Sequence, residues 1–175
     1  MKYALVYGIL SGVAIIAAIL TGLGLFGSQH LFGSQLFGYL VMLVALTLIF
    51  VGVKRYRDVE KGGVIRFAPA FGMGLAIAGV AAVAYVAVWE IYLAATDYRF
   101  MDDYIAGIVR AREAAGVPPA EIAREVAGFD SMRAWYANPL ARVAVTFAEI
   151  FPVGLVVALI SAALLRNPRL LPARG

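Results

Sequence analysis

The 175-residue chain has no cysteine, a single histidine, and only 15% charged residues. Without thiols it can form neither a disulfide nor a thiolate metal site. The one imidazole, His30, has no second ligand at a chelating spacing, so it is read as solvated rather than metal-bound. Serine, histidine and acidic residues lie too scattered to define a nucleophile and its base, and no glycine-rich phosphate loop is present. No catalytic residue, cofactor or metal is therefore expected. What the chain has in abundance is apolar: 63% of its residues are hydrophobic, an inversion of what a soluble domain needs at its surface.

The apolar residues are gathered into stretches running from Tyr3 to Phe26, Leu36 to Val53, Phe67 to Leu93 and Leu140 to Leu165. A helix rising ~1.5 Å per residue needs about 20 residues to cross ~30 Å of hydrocarbon, and each stretch reaches or nearly reaches that length. The expected fold is all-α and polytopic, a single domain over residues 1–175 with four transmembrane helices. Met1-Lys2 is a short basic start like that of a signal peptide. The apolar run after it exceeds the ~7–15 residues of a signal core and no small-x-small site closes it, so it is read as a retained anchor.

Charge is distributed unevenly between the two expected sides. Lys2, the segment Lys54, Arg55, Arg57, Lys61 and Arg66, and the tail Arg166, Arg169 and Arg174 share one side with only Asp58 and Glu60. On the other, residues 27–35 carry no Lys or Arg, and Asp97, Asp102, Asp103, Glu113, Glu121, Glu125 and Asp130 outnumber the arginines. Basic residues resist transfer across a membrane, so both termini are expected in the cytoplasm. The basic segment could also attract anionic lipid at ~1 kcal/mol per cation, but its two acids dilute the patch and setting topology is the simpler role.

A tandem repeat, Leu25-Phe26-Gly27-Ser28-Gln29 and Leu31-Phe32-Gly33-Ser34-Gln35, fits an interfacial hairpin between the first two helices. Between the third and fourth, over about residues 97–135, two short amphipathic helices are expected. In the first, Met101, Tyr104, Ile105, Ile108 and Val109 share one face and Gly116 follows the end; the second starts at Pro118-Pro119. Asn138-Pro139 is an N-cap followed by proline at the first helical position.

Glu149 is the residue of greatest interest. It lies nine residues after Leu140, ~13 Å along the helix and inside the hydrocarbon. A carboxylate facing lipid there is costly, so Glu149 should face the bundle or an oligomer seam and be protonated or paired. Pro152 follows and frees a backbone carbonyl nearby. Tyr85 is the first candidate partner by depth, ahead of Ser11, Thr21 and Thr146. Glu90 and Trp89 form a candidate outer-interface site with Tyr92, where Glu90 is read as water-facing. Gly8 and Gly12 make a GxxxG, and Gly72, Gly74 and Gly79 line the third helix, so these glycines are candidate contacts within the bundle or between protomers.

Two stretches resemble a known family. Tyr56-Arg57-Asp58, followed by Gly62-Gly63-x-Ile65-x-Phe67-x-x-Ala70-Phe71-x-x-Gly74, is similar to one recognisable stretch of the domain of unknown function 4199 family. The ending Glu149-x-Phe151-Pro152-Val153-Gly154-Leu155-Val156-x-Ala158-Leu159-Ile160-Ser161-Ala162 is similar to the other. The resemblance implies four membrane helices with a helical insertion before the last, and supplies no catalytic residues. The leading expectation is a non-enzymatic accessory or assembly component of a bacterial inner membrane. Its competitors are a small oligomeric proton-coupled transporter or channel using Glu149, and a helper of an enzyme acting on lipid-linked substrates. Expected partners are membrane lipids, a second copy through the small-residue faces, and other membrane proteins; no nucleic acid is expected.

Overall fold

The computed structural model describes residues 1–26 and 35–173. His30 and most of the tandem repeat lie outside the described residues. The helices are α1 (Lys2–Phe26), α2 (Gln35–Glu60), α3 (Phe67–Ala95), α4 (Phe100–Ala114), α5 (Pro119–Ala127), α6 (Asp130–Ala137) and α7 (Pro139–Leu165), with no strand among the described residues. α1, α2, α3 and α7 are long and apolar enough to cross a membrane. No more than 33% of each apolar window is buried inside the chain. The remaining apolar surface points outward, an arrangement that hydrocarbon stabilises and water does not.

These four helices form a ring in which α1 and α7 each pack against both α2 and α3. α1 runs parallel to α3, because Gly8 meets Ile77 and Val80 while Gly12 meets Ala81 and Ala84. α3 and α7 run antiparallel through a reciprocal contact in which Gly74 faces Ala158 and Gly154 faces Ala78. Ile49 of α2 reaches both glycines and is fully buried, as are Ile15, Leu46, Ile77 and Leu165. Small residues thus bring the backbones together and large aliphatic ones fill the centre.

The glycines separate into two groups. A Cβ at Gly8 would lie 2.6 Å from Val80 Cβ, one at Gly12 2.5 Å from the Ala81 carbonyl oxygen, and one at Gly74 2.9 Å from Ala158 Cβ. Gly72 and Gly79 have nothing within 4 Å of a Cβ among the described residues, so of the two contacts expected for them the one within the bundle is not made. Gly52 was not singled out, yet a Cβ there would sit 2.7 Å from Ile77 Cδ1 and 2.9 Å from the Tyr7 ring.

α2 extends past Val53 to Glu60, so Lys54, Arg55 and Arg57 lie on a helix and not in a loop. No breaker intervenes before Gly62-Gly63, and Lys54 supports the last turns through an i,i+4 pair with Asp58. Gly62 and Gly63 then take positive φ, and the Gly63 N–H donates to the Arg57 carbonyl at 3.0 Å, ending the helix. The insertion has three helices rather than two, since α6 forms immediately before α7. Asn138 separates them, its Oδ1 accepting from Leu140 N at 3.0 Å and Ala141 N at 3.3 Å.

Candidate functional site

The end of the bundle that carries α4–α6 is organised around Arg142, in the first turn of α7. Its side chain is only 5% exposed and forms a two-pronged bridge to Glu90 near the end of α3, Nε and Nη2 each donating at 2.7 Å. Nη1 donates to the Tyr136 carbonyl at 2.8 Å, and the guanidinium lies 4.9 Å from the Tyr98 ring centre. Glu90, 26% exposed, is thus engaged in an ion pair and does not simply face water, which corrects the sequence expectation in part. It is the counter-ion of a buried arginine.

Aromatic residues close over this pair. Trp89 Nε1 donates to Tyr136 Oη at 2.8 Å, and the Trp89 ring meets Phe100 edge-on at 4.9 Å. Burial pushes the Tyr136 phenol up to about 12, so it keeps its proton at physiological pH while accepting from Trp89. Asp97 and Tyr98 both adopt left-handed backbone in the turn from α3 to α4, with φ of 52° and 56°. Such conformations cost about 1–3 kcal/mol each in non-glycine residues. The Tyr98 N–H donating to Leu93 O at 2.8 Å and the ring seated on Arg142 offset that strain.

Sequence reading passed over Arg142 because it sits inside an apolar run. Its signal was positional: Glu90 and Arg142 lie near the same end of two helices that must run antiparallel. The buried pair links α3, α6 and α7.

Glu149 lies on α7 two turns further in, ten residues from Pro139 and therefore ~15 Å along the helix, at mid-span. It is exposed on the outer surface rather than turned into the bundle. Its carboxyl makes no hydrogen bond or ion pair among the described residues, although Tyr85 and Tyr136 are within its electrostatic reach. Tyr85 is buried at 5% exposure, so the two candidate partners share a level without bonding. Pro152 is exposed on the same face and cannot donate to the carbonyl of Ala148, which is left without its helical partner. Ser11 is satisfied within α1 by the Tyr7 carbonyl at 2.7 Å, and Thr146 is buried.

The opposite end carries a second buried arginine. Arg57 is fully buried, bonding Asp58 at 2.7 Å and donating to the carbonyls of Leu170 and Leu171 in the tail after α7. Glu60 accepts from Tyr3 and pairs with Lys2 at 2.9 Å. The two acids are thus engaged, while Arg55, Lys61, Arg66, Arg166 and Arg169 are exposed at this end. Among the described residues no three His, Asp or Glu side chains gather as a metal site.

Helices of this length, with most of their apolar surface turned outward, define an integral membrane protein of the helical-bundle class. The family model described as "Protein of unknown function (DUF4199)" matches residues 2–167, and the chain belongs to that family. No curated protein and no solved structure matches.

Proposed function

We propose that this protein is a non-enzymatic accessory or assembly component of a bacterial inner membrane, acting through contacts made within the bilayer. Glu149 carries this reading. A carboxyl at mid-span on the outward surface has no bonding partner among the described residues, and lipid tails offer none. Such a group is tolerated where another protein surface covers it. The filled centre of the bundle, with Ile15, Leu46, Ile49 and Ile77 fully buried, favours a contact role over passage through one copy.

The exposed cations Arg55, Lys61, Arg66, Arg166 and Arg169 at one end support a topology with both termini in the cytoplasm. Because the native chain has no cysteine, Ala115→Cys should react with an impermeant thiol reagent added to intact cells while Ala173→Cys stays silent. Reaction of Ala173→Cys alone would invert the orientation.

A second reading, a proton-coupled transporter built from several copies, is favoured by one observation: Glu149 places an ionisable side chain at mid-span of a membrane helix. The two readings predict different behaviour in proteoliposomes. A contact role predicts dissipation of an imposed pH gradient no faster than in empty liposomes, for wild type and Glu149→Gln alike. Wild-type flux that Glu149→Gln abolishes would replace the accessory reading with the transporter.

A further inference from the structure

We propose that the surface covering Glu149 is a second copy of this chain, docked α7 against α7 about a two-fold axis normal to the membrane. This deepens the contact role above and rests on it. Copies inserted in the same sense have parallel α7 helices, so a two-fold axis places each Glu149 at the same depth as its counterpart. A group that needs a partner at mid-span therefore meets one without any match of length or register being required.

The chemistry of the face is self-complementary. A protonated Glu149 carboxyl offers one donor and one acceptor, and the Ala148 carbonyl, whose i+4 donor Pro152 removes, is a further acceptor. Carboxyl can bond carboxyl across the axis, or the Ala148 carbonyl of the other copy. The residues around them permit that approach. Ala148 is exposed beside Glu149, with Val145, Pro152 and Val156 on the same outward face. A small side chain next to the carboxyl lets two backbones come close enough for such bonds. The GxxxG of α1 is already occupied by α3, and the outward face of α3 that carries Gly72 and Gly79 offers no unpaired carboxyl. The α7 face is uncovered by the described residues and carries a carboxyl with no bonding partner among them.

The test uses the full chain in liposomes at low protein density, with copies counted by single-molecule photobleaching. Wild type should photobleach in two steps. An interhelical hydrogen bond in a membrane contributes ~0.6–2 kcal/mol, so Glu149→Leu should weaken association roughly three- to thirty-fold, whereas Glu149→Gln, which can still donate and accept, should retain it. Independently, Val145→Cys should form an oxidant-induced covalent dimer, and Val13→Cys, exposed on the outer surface of α1, should not. A monomeric wild type, dimers insensitive to Glu149→Leu, or cross-linking through Val13 but not Val145 would overturn the proposal. A monomer without ion flux would leave the contact role standing with a different partner; flux lost in Glu149→Gln would remove the contact role itself.

Discussion

Isoleucine at both Gly8 and Gly12 should collapse the thermal stability of the detergent-solubilised protein. The added Cβ atoms would lie 2.9 Å from the Ile77 carbonyl oxygen and 2.5 Å from the Ala81 carbonyl oxygen, and the backbone of α3 cannot swing aside as a flexible side chain would. Overpacking a tight core costs about 1–3 kcal/mol per site, with values at or above the upper end where the obstacle is main chain. Two such sites imply a melting temperature lower by roughly 10–20 °C, at about 2–4 °C per kcal/mol for a chain of this size. Gly72→Ile and Gly79→Ile are the matched controls, because nothing lies within 4 Å of a Cβ at either position. A double variant that melts like wild type but changes its mass would place the Gly8/Gly12 face between protomers and contradict the packing of α1 on α3.

The second large effect belongs to Arg142. Arg142→Met should destabilise the protein by about 3–5 kcal/mol, because it leaves Glu90 partly buried without its counter-ion. It also removes the group that holds the Tyr136 carbonyl and seats the Tyr98 ring. Glu90→Leu alone should do comparable damage by stranding the guanidinium. Combining Arg142→Met with Glu90→Leu should recover much of the loss, since replacing a buried pair with apolar side chains of similar size is often neutral or better. Melting temperatures of the four proteins give the coupling directly. Trp89, bonded to Tyr136 in this cluster, provides a local signal: its emission should change in either single variant. Full additivity would show that the two side chains do not act as a pair.

These predictions concern residues of unequal visibility in the sequence. The four long helices were legible because hydrocarbon imposes one demand on every residue of a span, namely apolarity sustained for about 20 positions. The N-cap at Asn138 was equally plain, since capping depends only on residues adjacent in the chain. The end of α2 was misplaced because the reading stopped where apolarity stopped. The backbone stopped at Gly62-Gly63, where a left-handed turn became available. α6 was missed because its eight residues have no apolar face long enough to show a period.

By itself, the sequence determined that this is a helical membrane protein with four spans, and that Glu149 lies well inside the last of them, because length and hydropathy act residue by residue along the chain. Which way each side chain points was decided only by the tertiary structure. Gly12 faces α3 while Gly79 faces no neighbour among the described residues, Glu90 meets Arg142 across 52 positions, and Glu149 points out while Tyr85 points in. Small, polar and charged side chains acquire their roles from what the neighbouring helix places opposite them. That depends on the rotation and register of packed helices, which nearly uniform apolar spans do not encode in any single stretch.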